Sequence, residues 1–172
     1  MLIIIRHSDD ESDGCTDNHD CQLATNGKHL ARKVGRKLIK EHGLPDIIFV
    51  SPFLRTLQTM RYMLDGLDTS SIKIVEDVRL SRYFFDRDKA NPIISPKTKS
   101  KNIPIDETYR EFKARVRDFI EDMNYHNKNV WVITHVVVYK QICRHYQHDV
   151  HGHIPFMTHK KFKYCKGCDT YH

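Results

Sequence analysis

Met1-Leu2-Ile3-Ile4-Ile5 opens the chain as a continuous apolar run that is rich in β-branched residues. A short run of this kind, without polar alternation, is typical of a parallel strand that is buried on both faces. Asp46-Ile47-Ile48-Phe49-Val50 has the same character, and two further apolar segments lie at Ile72–Val75 and Asn129–Thr134. The sequence therefore predicts four short strands.

The segments between these strands carry helical patterns. Apolar residues recur every four residues from Leu30 to Leu38, and Gly43 follows as a stop signal. Ser51 before Pro52 is the favoured order of an N-cap and a first helical residue. The predicted helices cover residues 25–42, 51–64, 106–126 and 136–148.

The helix over residues 106–126 has two candidate caps. Asp106 can act alone, whereas Thr108 can form a capping box with Glu111. Strands that alternate with helices along a chain favour a largely parallel sheet with helices on its faces. The sequence predicts an α/β fold of this kind.

The composition is that of an ordinary globular protein. Of the 172 residues, 40% are hydrophobic and 29% are charged, which excludes disorder as the global state. The length is that of one domain, so we expect a single domain over residues 1–172. No stretch reaches the roughly 18–20 uninterrupted apolar residues of a membrane span, and Arg6 ends the N-terminal run too early for a signal peptide. We expect a cytoplasmic protein with no membrane partner.

The net charge points to anionic partners. Lys and Arg number 28 against 22 Asp and Glu, which gives +6. Such an excess favours phosphoesters, nucleic acids or acidic proteins without choosing among them. The five cysteines are an odd number in a chain without a secretion signal, so we expect reduced thiols.

Chemically reactive side chains follow three of the predicted strands. Arg6 and His7 follow the first strand, Ser51 follows the second with Arg55 about one helical turn later, and His135 follows the fourth. Ligands of open α/β sheets bind beyond the carboxyl ends of the strands. We therefore expect two histidines and two arginines to converge at one edge of the sheet.

These four side chains suit a phosphoryl group. The planar guanidinium of arginine matches phosphate oxygens and keeps its charge at all working pH values. An imidazole nitrogen can attack phosphorus and form a covalent phosphohistidine, which water then hydrolyses. Each residue alone has an ordinary explanation: Ser51 as a helix cap, His135 as a core histidine. Their shared position at the strand ends favours function.

Three blocks of sequence resemble the histidine phosphatase superfamily, whose fold is that of the phosphoglycerate mutases. They are Ile5-Arg6-His7-Ser8, Ser51-Pro52-Phe53-Leu54-Arg55-Thr56-Leu57-Gln58-Thr59 and Ile133-Thr134-His135. Leu23–Gly27 is similar to the turn that opens the family's first helix, and Glu107–Val116 is similar to its late helix. The resemblance runs in the family's order over about residues 2–145, which we take as the catalytic core, and implies a three-layer sandwich.

The resemblance also implies roles for individual residues. His7 would be the phosphorylated nucleophile, with Arg6, Arg55 and His135 around the phosphoryl group. Ser8 stands where the family most often has glycine, and we expect it to help bind substrate. No metal or other cofactor is implied, because arginines supply the positive charge.

One departure from the family pattern bears on the substrate. Mutases and many phosphatases of the family carry a proton-donating glutamate two residues after an Arg-Leu pair, but Arg82 stands there in this chain. This absence and the short chain resemble the compact branch that contains the bacterial phosphohistidine phosphatases. Arg82 would then bind the substrate, and Asp9, Asp10 and Asp86 are candidate acids. We expect hydrolysis of phosphorylated small molecules or proteins with good leaving groups, such as phosphohistidine, aryl or acyl phosphates, and no mutase activity.

Two alternatives remain open at this point. The fold could be a catalytically weak module that binds phosphate or phosphoproteins. Alternatively, the segment 146–172 could bind zinc or nucleic acid, because Cys165-Lys166-Gly167-Cys168 lies among several histidines. Three lysines between Lys97 and Lys101 could contact nucleic acid, although such clusters are usually solvated and a nucleic-acid partner is disfavoured.

Overall fold

A computed structural model describes residues 1–11, 21–86, 102–123, 125, 127–165 and 170–171. Five strands form the main sheet in the order β3-β2-β4-β1-β5. They are β1 (Leu2–Arg6), β2 (Ile47–Val50), β3 (Lys73–Glu76), β4 (Val130–Thr134) and β5 (His159–Phe162). The pairs β1–β4, β2–β4 and β2–β3 are parallel, whereas β5 lies antiparallel to β1. The prediction of an α/β fold with a mostly parallel sheet is confirmed.

Helices cover both faces of this sheet. They are α1 (Thr25–His42), α2 (Leu54–Met63), α3 (Tyr109–Asp122) and α4 (Val136–His145). Alternate residues of β1 point to opposite faces, so that Ile3 packs in one apolar core with α1 and α2. Ile4 packs in the other core, with α3 and α4. Because the central strands have a core on each face, they are apolar except at their carboxyl ends, where Arg6 ends β1 and Thr134 ends β4.

Several helix boundaries differ from the predicted ones. Helix α1 matches the prediction, and Thr108 caps α3 in the capping box with Glu111. Helix α2 begins at Leu54, and its N-cap is Phe53, which makes no side-chain cap. The predicted Ser51 cap is wrong because the Ser51 hydroxyl has a tertiary partner, described below.

The C-terminal part contributes more structure than the pattern predicted. Strand β5 completes the sheet at the edge of β1, and β6 (Tyr164–Cys165) pairs with β7 (Thr170–Tyr171).

Cys143 is a free, buried thiol, but Cys21 is disulfide-bonded, which contradicts the expectation of reduced thiols. The cysteine count does not show which sulfur atoms lie within bonding distance. No described helix combines the length and the apolar character needed to cross a membrane.

The predicted zinc and nucleic-acid features fall largely outside the described residues. Cys168 and the cluster Lys97–Lys101 are not among them, nor is the side chain of Cys165. Within the described part of the chain, no three His, Cys, Asp or Glu side chains lie close enough together to hold a metal ion.

Candidate active site

The predicted residues meet in a cavity of about 290 Å³ beyond the carboxyl ends of β1, β2 and β4. Its lining is basic and aromatic, with one carboxylate. The residues are Arg6, His7, Asp10, Arg55, Arg82, Tyr83, Phe85, His135, Val136, Val137 and Phe156. The convergence of two histidines and two arginines follows from the topology, because β1 and β4 are adjacent parallel strands in register.

His7 is held in one tautomer. Its backbone N–H donates to the Thr134 carbonyl at 2.9 Å, which extends the pairing of β1 with β4. Its Nδ1 lies 2.8 Å from the Ser8 carbonyl oxygen. Because a carbonyl oxygen only accepts, Nδ1 carries the proton and Nε2 keeps a lone pair. That lone pair is what a nucleophile requires.

The loop after His7 is fixed by contacts with both neighbouring helices. The Ser8 hydroxyl donates to the Gly27 carbonyl of α1 at 2.7 Å, and the Ser8 N–H donates to Thr59 Oγ1 of α2 at 3.0 Å. A Cβ on Gly27 would lie 2.1 Å from the Asp9 carbonyl oxygen, so only glycine allows this approach. Ser8 is completely buried and does not line the cavity. Its contacts position the loop.

His135 is also neutral and oriented. Arg55 Nη2 lies 3.3 Å from Nδ1, and because a guanidinium only donates, Nδ1 is the acceptor. The remaining proton is on Nε2, which donates to Ser51 Oγ at 2.8 Å. The ring packs edge-on against Phe53, and its centroid is 5.3 Å from that of His7. Ser51 thus orients a site histidine.

Three guanidinium groups surround the two imidazoles. Arg55 is 4% exposed. Arg6 donates from Nη1 to the Ile154 carbonyl and lies 4.1 Å from the centroid of the Phe156 ring. Arg82 also lines the cavity. Such a concentration of fixed positive charge suits a dianionic phosphoryl group.

This surrounding charge and burial keep the histidines neutral. Burial, and next the charge of Arg55, lower the pKa of His7 well below its usual 6.5. The same two causes, in the same order, lower the pKa of His135. Burial also lowers the pKa of Arg6, which still remains charged. His7 is therefore an unprotonated imidazole at neutral pH.

The three candidate acids are placed differently. The Asp10 carboxylate lines the cavity, 3.5 Å from Arg55 Nε and 3.9 Å from His7 Nδ1. Asp9 and Asp86 do not line it, and Asp86 is exposed. Among the described carboxylates, Asp10 is thus the one that lies within the candidate site.

A partly buried ion pair supports the loop that carries Arg82. Arg115 donates to the Glu107 carboxylate through Nε at 2.8 Å and through Nη2. Its Nη1 also donates to the carbonyls of Arg79 and Ser81, at 2.5 and 3.1 Å. Arg115 therefore holds the backbone immediately before Arg82.

Sequence reasoning missed the aromatic walls of the cavity. Tyr83 and Phe85 lie in the loop after Arg82, so adjacency to a predicted site residue could have found them. Phe156 lies in the C-terminal segment, outside the expected catalytic core, and contacts the ring of His7 at 5.6 Å between centroids. No sequence pattern pointed to Phe156.

Comparison with known proteins identifies the family. Residues 2–160 match the histidine phosphatase superfamily (branch 1). The chain belongs to this superfamily. Over 83 residues it is 35% identical to a 2,3-bisphosphoglycerate-dependent phosphoglycerate mutase of Buchnera aphidicola, a match that covers 46% of this chain and 36% of the mutase. The aligned part is thus about a third of that relative's length.

Solved structures of this superfamily share the fold. Bacillus stearothermophilus YhfR superimposes with a TM-score of 0.73 at 17% identity, covering 99% of this chain and 93% of YhfR. A phosphoserine phosphatase of Entamoeba histolytica gives a TM-score of 0.63 at 22% identity, covering 95% of this chain and 90% of the phosphatase. At these identities the likeness establishes the phosphoglycerate mutase-like fold.

Proposed function

We propose that this chain is a metal-independent phosphatase that works through a phosphohistidine on His7. The observation that carries the proposal is the state of His7, which is a neutral imidazole lining a cavity among three guanidinium groups. Its Nδ1–H donates a hydrogen bond to the Ser8 carbonyl, so the lone pair on Nε2 is available to attack phosphorus. The phosphatase among the structural neighbours is consistent with this reaction.

The first step transfers the phosphoryl group to the enzyme. His7 Nε2 attacks phosphorus, a P–N bond forms, and the bond from phosphorus to the leaving group breaks with its electron pair on the leaving atom. The guanidinium groups of Arg6, Arg55 and Arg82 stabilise negative charge on the transferring oxygens, which is the main catalytic requirement of phosphoryl transfer.

The second step restores the free enzyme. Water attacks phosphorus, the P–N bond breaks, and its electron pair returns to Nε2 as inorganic phosphate leaves with the hydroxyl of the water. The remaining proton passes to solvent or to the departing group. His7 returns to the same neutral tautomer, so the cycle needs no metal ion and no second substrate.

Hydrolysis is favoured over mutase chemistry by the residues at the cavity mouth. A mutase must return the phosphoryl group to its product with a proton donor in place, but Arg82 occupies the position of the family's glutamate. Asp10, whose carboxylate lies 3.5 Å from Arg55 Nε, is the remaining candidate acid. Substrates whose leaving group needs no proton, such as phosphohistidine and aryl or acyl phosphates, fit this site best.

A trapping experiment tests the intermediate. We expect wild-type protein, mixed with a 32P-labelled aryl phosphate and quenched in alkali, to retain label in a bond that acid hydrolyses. His7→Asn should retain no label and release no phosphate, whereas His29→Asn, at an exposed residue of α1, should behave as wild type. Equal labelling of the His7→Asn protein would refute the proposal, and phosphate binding without turnover in wild type would identify a binding module instead.

A further inference from the structure

A second, separate concavity lies between α3 and α4. Its volume is about 520 Å³, and we call it the basic groove after five of the residues that line it: Arg110, Lys113, Arg117, Arg144 and His145. Ala114 and Gln141 lie between them, and no carboxylate belongs to the lining. None of these residues takes part in the candidate active site.

The charges of the basic groove are available to a ligand. Within the described residues, Arg110 and Lys113 form no ion pair. Arg117 Nε lies 3.6 Å from the exposed carboxylate of Glu121, and Arg144 Nε lies 3.0 Å from that of Asp149. Exposed ion pairs of this kind are weak. Burial lowers the pKa of His145. The cationic groups of the groove are therefore those of Arg110, Lys113, Arg117 and Arg144.

The basic groove is connected to the candidate active site by aromatic rings. Tyr83 lines the active-site cavity, and its ring centroid is 5.4 Å from that of Tyr109, the first residue of α3. Lys113 Nζ lies 5.2 Å from the Tyr109 ring centroid on the other side of this contact. These two contacts place Lys113 Nζ at most about 11 Å from the Tyr83 ring in the cavity wall, a distance that about three residues of extended chain span at roughly 3.3 Å each.

We propose that the basic groove binds an acidic segment of a phosphorylated protein, so that proteins are the substrate class of this site. The inference rests on the proposed phosphatase function. From Arg110 to Arg117, helix α3 rises about 10 Å along its axis, and about three residues of an extended peptide span the same length. The acidic side chains should therefore lie about three to six residues from the phosphorylated residue.

The dimensions favour a protein segment over a nucleic acid. Binding of single-stranded nucleic acid requires a charged path over about four or more nucleotides and aromatic faces on which bases stack. The cationic stretch of α3 is shorter than such a path. Apart from the imidazole of His145, the lining of the groove holds no aromatic ring on which a base could stack.

Phosphotyrosine peptides give a direct test. One peptide carries Asp at positions three to six from the phosphotyrosine, and its partner carries Asn at the same positions. We expect wild-type kcat/KM to favour the acidic peptide about tenfold at low salt through KM, and the preference to shrink at 0.5 M NaCl. Turnover of p-nitrophenyl phosphate, which is too small to reach the groove, measures the active site alone.

Charge reversal in the groove should remove only the peptide preference. Arg110→Glu with Lys113→Glu should bring the acidic peptide to the level of the neutral one or below and leave p-nitrophenyl phosphate turnover unchanged. The matched control is Arg36→Glu with Lys40→Glu, two exposed residues of α1 on the opposite face of the sheet. This control should keep the wild-type preference.

Each failure has a distinct signature. Equal kcat/KM for the two peptides, or an equal loss in the α1 control, would overturn the groove proposal. Inhibition by single-stranded RNA that disappears in the Arg110 and Lys113 variant would also overturn it, in favour of a nucleic acid. If no substrate turns over, the proposed function fails. Fluorescence anisotropy of the labelled acidic peptide with wild type and variant then decides whether the groove binds it.

Discussion

The two neutral, buried histidines couple the stability of this protein to pH. In the folded state the pKa values of His7 and His135 lie well below 6.5, whereas the unfolded chain has ordinary histidines. As pH falls below about 6.5, the unfolded state binds protons that the folded state does not, so the free energy of unfolding decreases. The stability is fully present above this pH.

The size of the effect follows from proton linkage. Each histidine costs up to about 1.4 kcal/mol of unfolding free energy per pH unit below its unfolded pKa, as long as its folded form stays neutral. Between pH 7.5 and 5.0 this amounts to about 2 kcal/mol for each residue and about 4 kcal/mol for the pair. The expected loss is a large fraction of the stability of a typical domain.

Urea unfolding of two proteins isolates this contribution. Wild type and a His7→Asn, His135→Asn double variant are measured from pH 7.5 to 5.0 in phosphate-free buffer, because bound phosphate would stabilise the folded state. Other titrating groups, including the partly buried His145, contribute to both proteins and cancel in the difference. The double variant should lose about 4 kcal/mol less than wild type over this range. Parallel pH profiles would mean that the histidines bind protons as readily in the folded state as in the unfolded chain, and the argument that burial and Arg55 keep the nucleophile unprotonated would fail.

Three further predictions concern the leaving group and the supports of the site. Because Arg82 stands in place of a proton donor, kcat/KM for an aryl phosphate should exceed that for an alkyl phosphate of equal charge by about 10²-fold or more. Asp10→Asn should lower kcat/KM for the alkyl phosphate further. Equal values for the two esters would reveal an unidentified donor. Gly27→Ala should lower the unfolding free energy by about 1–3 kcal/mol and reduce kcat, whereas the equally crowded Gly35→Ala should destabilise without affecting kcat, both read from urea unfolding and steady-state assays. Glu107→Gln should lower the free energy of unfolding by about 1–3 kcal/mol, because it removes the charged partner of the partly buried Arg115, and an unchanged stability would contradict a supporting role for this ion pair.

Much of the site could be predicted because it depends on strand ends. Arg6, His7 and His135 follow apolar runs that could hardly be anything but buried parallel strands, and parallel strands bring their carboxyl ends to one edge. Arg55 follows from its place in the first turn of α2. In these cases the local pattern and the tertiary arrangement agree, so the sequence alone suffices.

The remaining parts depend on contacts that no local pattern contains. Strand β5 reads His159-Lys160-Lys161-Phe162, and its single strong apolar residue gives no strand signal, because an edge strand tolerates charged side chains. Phe156 reaches the cavity only because β5 pairs with β1. Ser51 resembles a helix cap in sequence, but its hydroxyl oxygen accepts a hydrogen bond from His135, a residue 84 positions away.

The same arginines can explain both the reactivity and the selectivity of the site. In the proposed mechanism Arg55 binds the phosphoryl group, and burial together with the charge of Arg55 lowers the pKa of His7, so the nucleophile stays unprotonated and no separate base is needed. The disadvantage of this arrangement is that the leaving group lacks a proton donor. Arg82 adds a third cation at the position where the family's proton donor would stand. A site that concentrates positive charge in this way activates its histidine at the expense of acid catalysis, and this trade favours phosphoryl donors that leave without a proton.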